Sequence, residues 1–333
     1  MCFALHIMNT HNGIGMPHGT DKACPGLYRS QYEHDACGVG MVANLSGEAS
    51  HDIVAKGMTI LRRLMHRGAT GNDRETGDGA GLLLRIPQAF FRRVLAEKTR
   101  EPFGVAMIFG GEGEEEKIAA AVEGERCEIL GWRNVPVNPE AIGNDARAVM
   151  PRIRQVFIAM GSHGICAPSA SRPAPSLSFE RRLYVIRRQI EKTTKNTYVC
   201  SCSSRTVVYK GLLLATQIEK FYPDLTDPDF ASPFAIVHQR YSTNTLPSWE
   251  LAHPFRTIAH NGEINAISGN LNALAAREAS LVSPVFGDEL KKALPVVHGG
   301  QSDSASLDNV FELLVAAGRD APHAAMKIGR AHV

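Results

Sequence analysis

Polar and apolar residues fall without period through positions 1–36, where Gly, His and Asn are scattered among isolated apolar side chains. From Cys37 the pattern becomes regular. Positions 37–44 (CGVGMVAN) form a short, largely apolar run of strand length. Ser50 then stands where an N-cap belongs, with Asp52 in the first turn. Ile53, Gly57, Ile60, Leu61 and Leu64 follow at helical spacing, which predicts an amphipathic helix over 52–65. A Gly-rich loop over 68–81, a strand over 81–86 and a helix from Pro87 to about 97 come next. Further strands are predicted at 105–109, 234–238 and 256–260, and a strand pair within 198–210. Helices are predicted at 179–192, 270–281 and 304–317, and the acidic run 112–116 reads as the exposed start of another. The Pro/Ser/Ala-rich stretch 166–176 reads as a surface loop or a domain boundary. Strands followed by alternating helices and strands argue for a sheet-rich α+β domain with its helices outside.

Composition narrows this picture only a little. With 333 residues, 44% hydrophobic and 21% charged, the chain can bury a full globular core. A net charge of +2 gives no basic footprint for nucleic acid. The pairs Arg62-Arg63, Arg92-Arg93, Arg181-Arg182 and Arg187-Arg188 read as solvated helix faces. No apolar run approaches the ~20 residues that span a bilayer, and the apolar start lacks the basic flank of a signal peptide. Seven cysteines without a C-x-x-C pair suit reduced thiols in the cytoplasm, and no metal-ligand set is expected. Cys200 and Cys202, two apart on a strand, should share a face.

Five segments could carry chemistry, and each has a plain alternative. Cys37 begins a strand and reads as a small buried hydrophobe, because no neighbour lowers its thiol pKa. In 234–255 (FAIVHQRYSTNTLPSWELAHPF), Arg240 follows a strand end, suited to a bidentate carboxylate or to a surface acid. His260-Asn261-Gly262-Glu263 is a hairpin-turn signal, or an Asn amide and a Gly N–H aimed at one oxyanion. Gln301-Ser302-Asp303-Ser304 caps a helix, or supplies an acid for a substrate ammonium. Gly77-Asp78-Gly79-Ala80-Gly81, after His66-Arg67-Gly68-Ala69, matches no phosphate-loop pattern and reads as a tight loop near backbone.

Together these segments form a family pattern. The chain resembles the N-terminal glutamine amidotransferase domain of glutamate synthase large subunits from Cys37 to about Lys327. The likeness is carried by Glu33 to Gly40, His66 to Gly81, Ser203-Ser204-Arg205-Thr206, His238 to Phe255, Ala259 to Asn265, Gly269-Asn270 and Ser302-Asp303-Ser304. It implies a four-layer αββα N-terminal-nucleophile hydrolase fold. It also implies that residues 1–36 are a leader removed before Cys37, and that 37–327 is the amidotransferase domain. Cys37 is then the nucleophile and its own freed α-amino group, titrating near pH 8, the base.

By position, the resemblance gives the glutamine α-carboxylate to Arg240 and the α-ammonium to Asp303. Thr243 and His253 become pocket residues, Asn261 and the Gly262 N–H the oxyanion donors, and Arg67 an arginine close to the nucleophile. The implied partners are glutamine, a synthase domain of the same polypeptide, and a small subunit or ferredoxin. FMN and an iron–sulfur cluster are expected outside this chain. The tail 328–333 (IGRAHV) departs from the family and looks like translated adapter sequence, so a truncated chain is expected. Two other readings are another class II amidotransferase and a remnant that keeps the fold but is never cleaved before Cys37.

Overall fold

The computed structural model describes residues 37–96, 101–161, 175–242, 246–262 and 267–328. The leader, the final five residues and most of the 166–176 stretch lie outside the described residues. Two four-stranded antiparallel sheets form the centre. The first has the order β1 (Val39–Ala43), β8 (Phe234–Gln239), β2 (Ala80–Arg85), β7 (Thr206–Gly211). The second has the order β4 (Cys127–Asn134), β5 (Ile153–Met160), β3 (Phe103–Gly110), β6 (Thr197–Ser203). With their flanking helices they make the α+β, four-layer αββα fold.

Helix α1 (His51–Arg63) forms where its stripe predicts. Ser50 Oγ accepts from the Ile53 N–H at 3.4 Å, and Val54 and Leu61 are fully buried. It packs on the first sheet in one apolar cluster that also takes in α2 (Gln88–Leu95) and reaches the second sheet. Phe91 of α2 meets Phe157 of β5 edge-on, with centroids 5.4 Å apart. On the second sheet, Ile118 and Val122 of α3 (Glu115–Gly124) join Leu183, Ile186 and Ile190 of α5 (Pro175–Thr193) in a second cluster. A third cluster packs the C-terminal segment onto α5 through Tyr184, Phe286, Leu290 and Leu313. Leu313 belongs to α8 (Asp303–Ala316), which α9 (Ala321–Ile328) follows.

Several expectations need correction. No strand forms over 256–260; the segment is a turn whose amides bond to a side chain rather than to a ladder. Strands β4 and β5 were not anticipated, because Arg154 and Gln155 break the apolar pattern of β5. Both are buried and hydrogen-bonded: Arg154 donates to the Gly111 carbonyl at 2.6 Å, and Gln155 to Tyr209 Oη at 2.9 Å. Cys200 and Cys202 face different clusters, since the β3–β6 register shifts between Met107 and Ile108 and Cys200 is the extra residue. Glu114, in the acidic run, is buried. The Thr197 hydroxyl and the Lys195 and Asn196 amides hold its carboxyl down at about 2.

The largest surprise is charge inside the protein. Arg62, Arg92 and Arg93 are part-exposed, as a solvated helix face requires, but Arg187 and Arg188 are buried. They join Arg256 in a cluster of three guanidiniums, against the three carboxylates of Glu191, Asp308 and Glu312. Arg256 pairs with Asp308 at 2.9 Å and donates to Asn309 Oδ1 at 2.6 Å and Glu312 Oε2 at 3.2 Å. Burial opposes the Arg256 charge, but Asp308 and Glu312 outweigh it and hold the guanidinium well above its usual pKa. The other oxygen of Asp308 accepts from Thr257 N (2.8 Å), Thr257 Oγ1 (2.7 Å) and Ile258 N (3.2 Å).

Removing one member of such a cluster strands the opposite charge in a dry interior. Asp308→Ala should therefore cost ~3–5 kcal/mol in denaturant unfolding. Asp52→Ala, which breaks the exposed Lys56–Asp52 pair, should cost less than about 1 kcal/mol. Equal costs would show that the buried cluster carries no special weight.

Candidate active site

Antiparallel pairing brings three strand ends to one edge of the first sheet. β8 ends at Gln239, between the starts of β1 and β2. The ladder runs on past the last named pair: Gln239 N–H donates to the Gly38 carbonyl at 2.8 Å, and Arg240 N–H to the Gly79 carbonyl at 2.8 Å. This sets Cys37, half-buried, at the start of β1 beside the point where β8 delivers Arg240. A cleft of about 430 Å³ opens there. Arg67, Arg240, His253, Asn261, Gly262 and Asp303 all line it. Cys37 is not among the lining residues; it precedes Gly38, which lies against Asn261. Thr243 lies outside the described residues.

Each wall has its own local cause. Met65–Arg67 is one 3-10 turn that carries on from α1 and turns Arg67 toward the cleft. Arg240 is buried, and burial pulls its pKa below the usual arginine value; Asp78 first and Asp303 second oppose that pull. Asp78 also accepts the Ser242 N–H at 2.6 Å, which ties the chain just after Arg240. Asp303 sits in the first turn of α8. Ser302 Oγ caps that helix through Ala305 N at 3.2 Å, and the Ser304 N–H donates to Asp303 Oδ1 at 2.6 Å. A basic and an acidic group thus face one space from different elements.

Asn261-Gly262 is no hairpin: among the described residues the segment leading to it, 246–262, contains no strand. Three imidazoles support it instead. The His238 and His253 rings stack at 4.5 Å, and the His253 and His260 rings meet edge-on at 5.3 Å. Burial pushes His238 down to about 3 and His253 well below its ordinary value, so both are neutral. No group of three His, Cys, Asp or Glu side chains is placed to hold a metal among the described residues. A larger depression of about 660 Å³ lies between Glu75, Asn138, Glu140 and Lys220, but none of the site residues expected from the sequence lines it.

Reading the sequence missed Asp78, His238, His260 and the Arg256–Asp308 pair. Asp78 had a signal, an acid flanked by glycines in a loop that approaches backbone. A Cβ on nearby Gly81 would lie 2.5 Å from the His253 carbonyl. His238 had none, because a buried neutral ring looks like any other strand residue in a sequence.

The fold and the cleft are those of an amidotransferase, and comparison with known proteins agrees. Residues 37–330 match the glutamine amidotransferases class-II, and the chain belongs to that family. It is 49% identical over 318 residues to the glutamate synthase [NADPH] large chain of Bacillus subtilis, covering 91% of this chain and 20% of that one. It is 41% identical over 311 residues to the chloroplastic ferredoxin-dependent glutamate synthase of Oryza sativa subsp. japonica (88% and 19%). It is 40% identical over 311 residues to the glutamate synthase [NADH] of Saccharomyces cerevisiae (87% and 14%). The chain thus spans about a fifth or less of the length of these relatives.

Gly38 tests the packing of this site. A Cβ there would meet the Gln239 carbonyl at 2.4 Å and Asn261 Oδ1 at 2.9 Å, so β1 or Asn261 must move. Gly38→Ala should lower amidotransferase turnover by about 100-fold, the cost of displacing a reacting group by about an ångström. Steady-state kinetics beside a melting curve would check this; unchanged turnover would show the contact to be slack.

Proposed function

We propose that this chain is the glutaminase domain of a glutamate synthase, converting glutamine and water to glutamate and ammonia through a thioester on Cys37. One observation carries the reading: a guanidinium (Arg240), a carboxylate (Asp303) and an Asn-Gly pair line one cleft at the strand end where Cys37 stands. An α-amino acid with a side-chain amide needs that set. Arg240 takes the α-carboxylate and Asp303 the α-ammonium, with Thr243 and His253 completing the pocket and Arg67 beside the nucleophile.

Cleavage between Ala36 and Cys37 makes Cys37 the first residue, and its freed amine accepts the thiol proton. The thiolate attacks the side-chain amide carbon. Negative charge then grows on the amide oxygen, where the Asn261 amide and the Gly262 N–H stabilise it; one such donor is worth ~3 kcal/mol in the transition state. Ammonia leaves with the proton, and water hydrolyses the γ-glutamyl thioester to glutamate and free thiol. The ammonia would go on to aminate 2-oxoglutarate in a synthase domain, where FMN and an iron–sulfur cluster belong. Both lie outside these 333 residues. The names of the relatives carry NADPH, NADH and ferredoxin, and any of these donors is compatible with this domain. Cys37, Cys127, Cys200 and Cys202 are free thiols, which supports a reducing compartment such as the cytoplasm. No helix among the described residues is long and apolar enough to cross a membrane.

Intact mass before and after 6-diazo-5-oxonorleucine, an electrophilic glutamine analogue, tests the reading directly. The expected species begins at Cys37 and gains one adduct, which Cys37→Ala abolishes. A chain that still begins at Met1 and takes no label would support the uncleaved remnant instead. Two substitutions then separate the roles. Asn261→Ala should cut turnover by about 100-fold or more and leave glutamine affinity largely intact. Asp303→Ala should mainly weaken glutamine binding, and unchanged affinity would count against its ammonium role.

A further inference from the structure

The oxyanion donor assigned to Asn261 rests on a residue that does not itself reach the reacting carbon. Asn261 lies at the end of an excursion that leaves the sheet after Gln239 and returns at His260. Nothing in regular secondary structure holds it among the described residues. What holds it is a ring from the strand it left. His238, opposite Val39 on β1 and Gly81 on β2, is 2% exposed. Its Nε2 lies 3.0 Å from the carbonyl of His260, the residue immediately before Asn261. A carbonyl oxygen can only accept, so Nε2 carries the hydrogen. Stacking on His253 at an interplanar angle of 25° fixes the plane of the ring. On its other side, Asn261 Oδ1 faces Gly38, where only a hydrogen fits. With the amide oxygen against β1, its NH2 end is the one available to the cleft.

We infer that His238 is the positioning residue of the oxyanion site: its Nε2–H ties the His260-Asn261 backbone to β8 and sets which end of the Asn261 amide faces the substrate. The inference rests on the glutaminase reading above. It gives the neutral imidazole a task that a charged ring could not perform as well. A positive charge there would repel Arg240 nearby and carry a second hydrogen with no acceptor.

The test compares His238→Leu, which cannot donate, with His238→Gln, whose amide can. Each is made in the native sequence and in an Asn261→Ala background. Glutaminase kcat, KM and melting temperature are measured on chain processed at Cys37. His238→Leu should lower kcat about 100-fold with KM changed less than about 3-fold, as for loss of one oxyanion donor. His238→Gln should stay within about 10-fold of the native kcat. In the Asn261→Ala background, the leucine variant should cost no more than about 3-fold further, because coupled residues are not additive. Equal losses in both backgrounds would overturn the proposal and leave the glutaminase reading standing. If the leucine variant does not fold, a folded His238→Gln protein as slow as Asn261→Ala would overturn it equally. Full turnover in Asn261→Ala alone would instead remove the oxyanion role of Asn261, and the role of His238 with it.

Discussion

The pairing of Arg256 with Asp308 is the constraint on which the cleft depends. Asp308 is one turn and a half along α8 from Asp303, and Arg256 stands five residues before Asn261. Their ion pair, with the two amides and one hydroxyl that Asp308 also takes, fastens the helix carrying Asp303 to the loop carrying Asn261 and Gly262. Glu191, Arg187 and Arg188 extend the same cluster into α5, which packs on the second sheet. Both of these walls of the cleft are thus referenced to one buried set of charges. A single pair of this kind adds little net stability, since desolvation consumes most of the attraction. Its value is in geometry, because a half-satisfied arrangement is so costly that the alternatives are emptied.

Charge is used differently at the other wall. Arg240, the group that would hold a carboxylate, is buried between two acids, Asp78 and Asp303, that keep it ionised. Burial lowers the histidines beside it as well, and because an imidazole starts from a far lower value they stay neutral. The end of β8 and the residue after it therefore present a cation and an uncharged hydrogen-bond donor two residues apart. On a strand, residues two apart share a face, so the last turn of chain beyond His238 and the tie at Asp78 decide where Arg240 points.

How much of this could be read beforehand follows a physical line. Elements whose apolar pattern is local, such as the stripe of α1 and the continuous run of β2, were legible within a few residues, because that pattern is written in the chain itself. Strand β5 was not, since Arg154 and Gln155 are hydrogen-bonded to partners far away in sequence. The turn at 256–258 looked like a strand for the same reason: the acceptor of its amides is an Asp some fifty positions later. Of the residues that the resemblance names, Arg67, Arg240, His253, Asn261, Gly262 and Asp303 line one cleft. Cys37 stands at its edge by register. His238 and Asp78 escaped notice because each works on the backbone of a neighbour, a function with no local signature.

Helix α8 has a further consequence, for what a shortened chain would lose. It is made near the end of the described chain, whereas Cys37 is made at its start. Until α8 has docked, Arg256 and Arg187 lack Asp308 and Glu312, and the loop that carries Asn261 has nothing to bind its amides. A chain stopped before α8 would therefore lose more than Asp303. The segment that ends in Asn261 and Gly262 would be untethered and two buried guanidiniums would face too few carboxylates, so one truncation would dismantle two walls of the cleft together.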